Sequence, residues 1–416
     1  MRNYIAIVEP YFSGALLAER FRARGYECIA IHRGSLEGKV AASFRKDDFV
    51  ASIVHDGEFA SLVQALEPYP LAAVLPGIEG GVLLADELAA YFKLPGNDPA
   101  RSLARRDKYV MHQQIAAMGL RAIEQIRASD FAELAAWLRS HARWPVVVKP
   151  ALSGATDGVR ICDTSAEAKA AFFGGIHQVN ALGFRNDTMI GQEYIGGTEF
   201  VVDAVTCNGQ HQVVNVAFYR KERGADGAPI YREMFFVPPD EWPLHANVVG
   251  YAKAVLDALG VDCGPSHTEV FLDEGGPVLV ESAARLCGCM VPLYLEAVAG
   301  ISPLELAVSS FVDTAAFENA ITKPQRHSAH LHAYILRNSQ AGRVAARPGD
   351  DLLRTLRTFK DVIWYAAEGA EVAPTRDLWS SLGLVFLISP DQSAINDDVA
   401  RIEQWERDDM LIALED

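Results

Sequence analysis

The first hundred residues alternate between continuous apolar runs and segments whose apolar positions recur with helical spacing. The predicted elements are strands at residues 4–8, 27–31 and 72–76 and helices over 14–24 and 82–92. Gly25 stops the first helix, and the turn residues 96–99 end the region. Strands that alternate with helices are typical of a parallel, doubly wound unit. Because no GxGxxG sequence follows the first strand, a dinucleotide-binding function is disfavoured.

The middle of the chain combines strands, turns and further helices. Helices are predicted over 102–118, 131–141, 243–259 and 303–311, and strands at 146–149, 189–194, 199–207 and 213–219. Asn208 and Gly209 form a hairpin-type turn between two of these strands. Gly260 lies just beyond a helix, where a C-cap glycine is common. The stretch from 190 to 219 is therefore predicted to be strands joined by turns.

The tail from about residue 325 has a different character. Strands are predicted at 330–336, 362–367 and 383–388, and a charged helix follows over 395–414. No residue pattern in this tail points to chemistry. The chain is thus predicted to belong to the α/β (α+β) class, with an N-terminal doubly wound parallel-sheet domain and a C-terminal mixed α/β extension.

Composition narrows the range of partners. The chain has 416 residues, half of them apolar, which is enough for two or three domains with cores of their own. Its formal net charge is −16. Because proteins bind nucleic acids through clustered lysines and arginines, this charge argues against a nucleic-acid partner. It does not exclude a small nucleotide whose charge is met locally by a few cations.

The cysteines and the N-terminus predict the cellular compartment. Cysteines stand at positions 28, 162, 207, 263, 287 and 289, without zinc-type spacing, and are predicted to be reduced thiols. The N-terminal residues lack the apolar core of a signal peptide. No apolar run reaches the roughly 18–20 residues of a membrane span. We therefore expect a cytoplasmic protein without a membrane partner, and a homodimer remains open.

Two lysines and a glycine-rich turn have the pattern of a phosphate site. Lys149 ends the apolar strand 146–149, which fixes the direction of its ammonium group. Ser153 and Gly154 begin a turn of small residues whose backbone N–H groups can approach phosphate oxygens. Lys108 belongs to an earlier predicted helix. Surface lysines and an ordinary hairpin turn are the alternatives, since no GxxxxGK[ST] loop is present.

Glu269 and Glu281 lie on two predicted strands that a turn at 273–277 separates. Opposed side chains on antiparallel strands come within about 5 Å of each other. Two carboxylates at that distance repel each other unless a cation lies between them. The pair therefore predicts a Mg²⁺ site that can also take Mn²⁺, with exposed strand glutamates as the alternative.

These elements, followed by Arg285, occur in an order that resembles the ATP-grasp family of carboxylate–amine ligases. The resemblance implies that ATP is bound by Lys108, Lys149, Ser153, Gly154, Gln192, Glu193, Ile195 and Glu199. Of these, the backbone of Glu193 and Ile195 would face adenine. The carboxylate of Glu199 would accept hydrogen bonds from the ribose hydroxyls.

The resemblance also implies roles around the reacting groups. Glu269 and Glu281 would hold Mg²⁺, and Arg285 would hold the γ-phosphate and the oxyanion of the tetrahedral intermediate. The family's common form has an asparagine two residues after the second glutamate, where this chain has Ala283. That departure is familiar from the branch that joins unprotected amino acids. His267 is a further catalytic candidate on the same strand face as Glu269, with a structural histidine as the alternative.

Three residues are predicted to contact a substrate, namely Tyr231, Glu233 and Cys289. The first two follow a Gly/Asp loop at 224–227 that could fold over the site, since an acyl phosphate must be kept from water. Cys289 and its neighbour Cys287 would line the substrate pocket. Neither is predicted to be a nucleophile, because no base partner is evident.

The resemblance implies an ATP-dependent ligase. A carboxylate, expected to be that of an L-amino acid, becomes an acyl phosphate and is joined to an amine, expected to be a second amino acid, giving ADP, phosphate and an amide. The implied domains are an N-terminal domain at 1–100, a lysine-bearing small subdomain at 101–195, and a large subdomain at 196–416 with an extension from about 325. The alternatives are a ligase for a different carboxylate and amine in nucleotide or antibiotic precursor synthesis, and a non-catalytic nucleotide sensor.

Overall fold

The computed structural model describes residues 3–34, 38–141 and 143–415. In chain order the strands are β1 Tyr4–Val8, β2 Glu27–His32, β3 Ala51–Val54, β4 Leu71–Pro76, β5 Gln125–Ala128, β6 Val146–Pro150, β7 Arg160–Cys162, β8 Met189–Glu193, β9 Thr198–Cys207, β10 Gln210–Arg223, β11 Pro229–Phe236, β12 Cys263–Asp273, β13 Gly276–Ala283, β14 His330–Leu336, β15 Gly342–Ala346, β16 Phe359–Trp364, β17 Glu371–Val372, β18 Gly383–Ser389 and β19 Ala413–Leu414.

The α-helices are α1 Leu16–Ala23, α2 Gly38–Ser43, α3 Phe59–Leu66, α4 Val82–Tyr91, α5 Lys108–Ala117, α6 Phe131–His141, α7 Ser165–Gly175, α8 Ala246–Ala258, α9 Val291–Glu296, α10 Pro303–Val312, α11 Thr314–Ile321, α12 Gly349–Arg354 and α13 Gln392–Arg407. Short 3₁₀ helices cover Phe12–Ala15, Lys46–Asp48, Glu79–Gly81, Pro99–Arg101, Leu103–Arg105 and Pro239–His245. Among the described residues, no helix combines the length and the apolar character needed to cross a membrane.

The chain folds into two compact units. Unit 1 comprises Met1–Ala122, Phe200–Val216 and Pro239–His327, and unit 2 comprises Ile123–Glu199, Ala217–Pro238 and Ser328–Asp416. Strands β9 and β10 are therefore divided between the units at residues 199/200 and 216/217. The finer domain boundaries that the sequence suggests, near residues 100, 195 and 325, remain predictions.

The N-terminal part of unit 1 is a parallel sheet in the order β3-β2-β1-β4. Alternate residues of a strand point to opposite faces. On one face Ile5 and Ile7 of β1 pack against α1, and on the other Ala6 and Val8 pack against α3 and α4. Helices on both faces of a parallel sheet define a doubly wound domain, so this prediction is confirmed.

The second sheet of unit 1 has the order β13-β12-β9-β10, with β9 from Phe200 and β10 up to Val216. Strands β12 and β13 are antiparallel and meet at Asp273 and Gly276, which confirms the predicted turn. Helices α5 and α8 pack on one face of this sheet, and α10 packs on the other. The hairpin is therefore held between two helical layers.

Unit 2 begins with an antiparallel sheet in the order β5-β8-β6-β7, covered by α6 and α7. The outer strand β7 is bonded to the turn between β10 and β11. The amide of Ile161 donates to the carbonyl oxygen of Gly227 at 2.8 Å. Gly227 has φ +79°, and a Cβ atom there would lie 2.3 Å from the Ile161 oxygen. The segment 224–227, predicted to be a covering loop, is thus a hairpin turn held against β7.

The remainder of unit 2 is built on antiparallel pairs that link β10 from Ala217, β11, β14, β18 and β16. The same part of the chain also forms a separate small sheet with the strand order β17-β15-β19. Helix α13 packs through Ile395, Val399 and Ile402 into an apolar cluster with residues of β14 and β18. The predicted C-terminal mixed α/β extension is confirmed.

Two predicted helices begin later than the periodicity indicates. The segment 102–118 is a 3₁₀ turn followed by α5, because the Asp107 side chain accepts hydrogen bonds from the amides of Tyr109 and Val110 and caps a new helix. The segment 243–259 likewise starts as a 3₁₀ helix that contains Pro243, and α8 follows. Gly260 has φ +64°, as a C-cap glycine requires.

Two elements of the tail are shifted. The strand predicted at 362–367 is β16, Phe359–Trp364, because it pairs with β18 from Phe359 onwards. The helix predicted over 395–414 is α13, which starts at Gln392 behind the Asp391 cap and ends at Arg407. Asp409 then adopts φ +51°, a left-handed conformation that terminates helices.

Candidate active site

The β12–β13 hairpin brings the two predicted metal carboxylates together. Glu269 and Glu281 are direct cross-strand partners, so their side chains leave the same face of the hairpin. Glu269 is 6% exposed, and Glu281 is partly buried. The register shifts between Glu269 and Val270, and such bulges often occur beside functional groups. The predicted pairing is confirmed, while the metal-binding role stays a prediction.

Lys108 belongs to the same group, because its Nζ atom lies 2.7 Å from Oε2 of Glu281. This lysine is the first residue of α5 and is 6% exposed. The Asp107 cap fixes the backbone from which it extends. An ammonium group here offsets the repulsion between the two neighbouring carboxylates. The structure thus places a lysine that was expected at phosphate beside the expected metal ligands.

A series of buried side chains orients His267 towards Glu269. Asn215 Nδ2 donates to Asp203 Oδ2 at 2.8 Å, and Asp203 Oδ1 lies 2.6 Å from His267 Nδ1. The other ring nitrogen, Nε2, is 3.5 Å from Oε1 of Glu269. Burial lowers the pKa of His267, but Cys287 and Asp203 outweigh burial and hold this pKa well above its usual value. The expectation that His267 shares the face of Glu269 is confirmed.

Ala283 faces His267 across the hairpin. It occupies the position at which the common form of the family has an asparagine. Cross-strand partners share a face, so the small methyl group leaves space for the imidazole beside Glu269. The departure from the family pattern and the histidine are therefore two parts of one arrangement.

Cys287 lies against His267 and Asp203, and donor atoms of the three residues lie within 4.8 Å of one another. Hydrogen bonds from His267 to Asp203 and to Cys287 account for this closeness. Burial and Asp203 raise the pKa of the Cys287 thiol, although His267 lowers it. A protonated buried thiol is a poor nucleophile, in agreement with the sequence interpretation. Cys289 has φ +58° and is half-buried just before α9, and its substrate contact stays a prediction.

Arg285 is connected to the end of the parallel sheet through Glu79, which follows β4. Arg285 Nη2 donates to Glu79 Oε1, and Nη1 donates to the carbonyl oxygen of Leu286 at 2.8 Å. Burial raises the pKa of Glu79, but the charges of Arg285 and Arg106 and the hydrogen bond from Arg285 together outweigh burial and lower this pKa. Arg106 is 5% exposed, and its charge interacts with those of Glu79 and Glu281. The guanidinium of Arg285 is therefore fixed in direction within unit 1.

The chemistry of this group suits a hard divalent cation. Mg²⁺ prefers carboxylate oxygens, and Glu269 and Glu281 present them from directly opposed positions. The ammonium group of Lys108 balances only part of the charge of this pair. The two carboxylates and the ammonium group together therefore carry more negative than positive charge. The residues present therefore fit the metal that the sequence predicts.

The predicted phosphate residues of unit 2 lie around the end of β6. Lys149 is 4% exposed, so it is a buried residue and not a surface lysine. Ser153, 2% exposed, and Gly154 lie in the connection from β6 to β7. In this turn Ala155 and Thr156 have φ +56° and +61°. Left-handed conformations of non-glycine residues are uncommon and concentrate at functional sites.

The predicted adenine segment is the end of β8. The Glu193 amide donates to the carbonyl oxygen of Glu124 at 2.9 Å, so an adenine contact from Glu193 has to use its carbonyl group. Gln192 Nε2 donates to Gln125 Oε1 at 3.3 Å. Ile195, two residues beyond Glu193, is 9% exposed. The backbone of this segment is thus held in place, as recognition of adenine by backbone groups requires.

Glu199, the predicted ribose acceptor, forms a buried ion pair in which its Oε1 accepts from Lys221 Nζ at 2.6 Å. The Lys221 ammonium also lies 4.1 Å from the centre of the Tyr231 ring. Tyr231 therefore belongs to the group around Glu199. Glu233 is held by His332, whose Nε2 lies 2.8 Å from its carboxylate. The substrate contacts predicted for Tyr231 and Glu233 stay predictions.

The structure adds four residues to the site that the sequence patterns do not single out, namely Asp203, Asn215, Glu79 and Arg106. Asp203 and Asn215 interrupt the apolar strands β9 and β10, and a polar residue in such a run indicates a buried hydrogen bond. Glu79 follows a parallel strand among glycines, at the sheet end where ligands commonly bind. For Arg106 the sequence carries no comparable signal.

Comparison with known proteins agrees with these features. A family model described as the ATP-grasp domain matches residues 142–292. Dapdiamide A synthase of Enterobacter agglomerans is 31% identical over 98% of this chain and 96% of that protein, and an L-arginine-specific L-amino acid ligase of Bacillus subtilis is 24% identical over 60% and 59%. The crystal structure of L-amino acid ligase from Bacillus licheniformis has a TM-score of 0.80 at 18% identity, covering 100% of both chains, which confirms the expected fold. The chain therefore belongs to the ATP-grasp family and is an ATP-dependent carboxylate–amine ligase.

Proposed function

We propose that the protein joins two free amino acids into a dipeptide and converts ATP to ADP and phosphate. The names of the relatives support this substrate class, since one is an L-amino acid ligase. The observation on which the proposal depends most is the cross-strand pair of Glu269 and Glu281 with Lys108 beside it. Two opposed carboxylates with one neighbouring ammonium group suit a metal-bound triphosphate.

ATP is proposed to be bound in unit 2 by Lys149, Ser153, Gly154, Gln192, Glu193, Ile195 and Glu199. The burial of Lys149 and Ser153 supports this assignment, because a packed lysine stem gives the ammonium group one direction. In unit 1, Glu269 and Glu281 would hold Mg²⁺, or Mn²⁺ in its place. When bound, the cation neutralises phosphate charge.

The proposed reaction has two steps. An oxygen of the first substrate's carboxylate attacks the γ-phosphorus of ATP, which gives an acyl phosphate and ADP. The amine of the second substrate then attacks the acyl carbon, and phosphate leaves as the amide forms. Arg285 neutralises charge on the transferred phosphoryl group and on the oxyanion. His267, held by Asp203, keeps Glu269 in position.

The proposed partners are ATP and two small-molecule substrates. The net charge of −16 argues against a nucleic acid as a further partner. We place the reaction in the cytoplasm, which supplies ATP and free amino acids. The six free cysteines support this compartment, because its reducing conditions keep thiols unpaired.

The decisive experiment identifies the spent nucleotide. The enzyme is incubated with ATP, Mg²⁺ and pairs of free amino acids, and the nucleotides are separated by chromatography. We expect ADP and phosphate, formed only when amino acids are present. AMP and pyrophosphate as the main products would overturn the mechanism. Phosphate release at the same rate without amino acids would overturn the ligase assignment for this substrate class.

A second arm traps the intermediate. Hydroxylamine replaces the second amino acid, since it reacts readily with acyl phosphates. We expect a hydroxamate of the first amino acid together with an equal amount of ADP. The Glu281→Gln variant, which lacks one of the two opposed carboxylates, provides the matched inactive control. ADP formation without hydroxamate would contradict an acyl phosphate.

A further inference from the structure

Three buried side chains of unit 1 bring one metal-ligating atom each into a single group. Asp203 lies on β9, His267 on β12, and Cys287 shortly after β13, and all three are buried. A carboxylate oxygen, an imidazole nitrogen and the thiol sulfur all lie within 4.8 Å of one another. Two ligands of one zinc ion are about 3.5 Å apart, as metal–ligand distances of about 2.0–2.3 Å dictate. Small side-chain rotations would therefore bring the three atoms onto one cation.

Hydrogen bonds orient Asp203 and His267 within this group. Asp203 Oδ1 lies 2.6 Å from His267 Nδ1, and Asp203 Oδ2 accepts from Asn215 Nδ2 at 2.8 Å. On the other side of the ring, His267 Nε2 is 3.5 Å from Oε1 of Glu269. A histidine that binds a metal through one ring nitrogen commonly directs the other nitrogen to a carboxylate. His267 thus has the surroundings of a metal ligand, with Nδ1 as the ligating atom.

Two further observations indicate an additional ligand beside Asp203. A cavity of about 20 Å³ is lined by Asp203, Cys287 and Ser266 together with apolar side chains. A cavity of this size has room for one water molecule. The Oδ1 atom of Asn215 is buried and has no hydrogen-bond partner within the described part of the chain. Because buried acceptors are nearly always satisfied, this oxygen calls for a donor, which a metal-bound water would supply.

The donor set differs from that of the carboxylate pair Glu269 and Glu281. Thiolate and imidazole ligands suit Zn²⁺ and Co²⁺, whereas Mg²⁺ prefers oxygen ligands. Zinc sites with three protein ligands and one water molecule are common in enzymes. A thiol that coordinates a metal loses its proton to the solvent, so the protonated state of Cys287 does not prevent binding. The two groups of side chains therefore select different cations.

We propose that Asp203, His267 and Cys287 form a second metal site, which takes Zn²⁺ or Co²⁺ with one water molecule as the fourth ligand. This site is additional to the cation expected at Glu269 and Glu281. A cation on Nδ1 of His267 leaves the ring proton on Nε2, which faces Glu269 Oε1. The second metal thereby orients a ligand of the first.

The test uses the full-length protein without ATP or amino acids, so its result does not depend on the proposed function. Metal-free protein is titrated with Co²⁺ in excess Mg²⁺, and the absorption spectrum is recorded. A bond between Co²⁺ and a thiolate gives a charge-transfer band in the near ultraviolet. We expect this band to saturate at one equivalent of Co²⁺. Zn²⁺ should abolish the band, because it prefers tetrahedral sites with sulfur and nitrogen ligands. A titration without a thiolate band would overturn the proposal.

Single substitutions identify the ligands. Cys287→Ser should lose the band and weaken Zn²⁺ binding by at least about tenfold, because even groups that only support ligands have effects of that size. Cys263→Ser, at another buried thiol of unit 1, is the matched control and should keep the band. Glu281→Gln should also keep it. A band that persists in Cys287→Ser, or that disappears in Glu281→Gln, would contradict a second site.

X-ray absorption at the zinc edge examines the ligands without any substitution. Wild-type protein with one equivalent of Zn²⁺ should show one sulfur at about 2.3 Å and nitrogen or oxygen atoms at about 2.0–2.2 Å. A first shell of nitrogen and oxygen alone would exclude Cys287 as a ligand. This result would overturn the proposal even if Cys287→Ser does not fold.

Discussion

The Nζ atom of Lys108 lies 2.7 Å from Oε2 of Glu281, the carboxylate that the hairpin sets opposite Glu269. A protein ammonium group therefore occupies one side of the expected metal site. A divalent cation held by this pair would share the Glu281 carboxylate with Lys108, so the lysine would set how strongly the metal is attracted. It also explains how two neighbouring carboxylates are tolerated in the folded chain.

Replacing Lys108 with methionine keeps an unbranched stem and removes the charge. We expect the free energy of unfolding to fall by about 3 kcal/mol, because a partner of a buried ion pair is lost. Mg²⁺ should restore part of the lost free energy of unfolding, since it is expected to bind the folded state. Urea denaturation with Mg²⁺ and with EDTA measures both effects, and the exposed Lys323→Met is the control. Equal stability of wild type and Lys108→Met in EDTA would contradict the ion pair.

Glu269→Gln and Glu281→Gln should each abolish metal-dependent turnover. Each should also weaken Mn²⁺ binding by at least about tenfold, because even groups that only support metal ligands have effects of that size. Electron paramagnetic resonance of Mn²⁺ with the free enzyme measures binding without turnover. Glu274→Gln, at an exposed residue of the same hairpin's turn, should bind like the wild type. Unchanged Mn²⁺ affinity in both site variants would show that the metal binds elsewhere.

Asp203→Asn tests whether His267 positions a metal ligand. The amide cannot replace the negative charge that holds the imidazole, so His267 should lose its fixed orientation towards Glu269. We expect Mn²⁺ affinity to fall by about tenfold, as for other groups that orient metal ligands. Asp262→Asn, at an exposed position just before β12, is the control. Reduced stability with unchanged Mn²⁺ affinity would assign Asp203 a purely structural role.

Glu406 in unit 2 predicts a pH dependence of stability. Burial raises the pKa of Glu406 to about 7, although Arg232 and Tyr334 lower it. The folded state thus binds this proton more tightly than the unfolded state, whose pKa is near 4.5. The stabilising contribution is complete below the unfolded pKa and is lost as pH rises through the folded pKa.

The uncharged variant Glu406→Gln isolates this contribution. Relative to the wild type, its free energy of unfolding should rise by up to about 3 kcal/mol as pH rises from acid to slightly alkaline values. Urea denaturation of both proteins across this range measures the difference. If the free energy of unfolding of the wild type instead rises relative to that of the variant, the hydrogen bonds from Arg232 and Tyr334 outweigh the effect of burial on the pKa of Glu406.

The features that the sequence predicts correctly depend on local patterns. The opposed placement of Glu269 and Glu281 follows from two short strands and one turn, and the register of a hairpin is set by such local signals. The doubly wound domain follows in the same way from alternating strands and helices. The errors in helix bounds arise where a side chain overrides periodicity, as Asp107 does at the start of α5.

The features that the sequence does not predict depend on contacts between distant segments. Asp203 and His267 are 64 residues apart, and Glu79 and Arg285 are 206 residues apart. No spacing rule connects such residues, because the strands that carry them become neighbours only in the folded sheets. Lys108 is intermediate: its sequence position suggested a phosphate, whereas its contact with Glu281 is visible only in the structure.

The short strand β7 lies at the edge of its sheet, and exposed sheet edges are templates for pairing with another molecule. Here the Ile161 amide is already bonded to Gly227, and the Ile161 carbonyl accepts from Arg223 at 2.9 Å. Any other residue at position 227 would have to adopt φ +79° with a Cβ atom 2.3 Å from the Ile161 oxygen. Gly227→Ala would therefore free this edge, and light scattering should report self-association. One glycine, remote in sequence from β7, thus keeps this sheet edge bonded within the molecule.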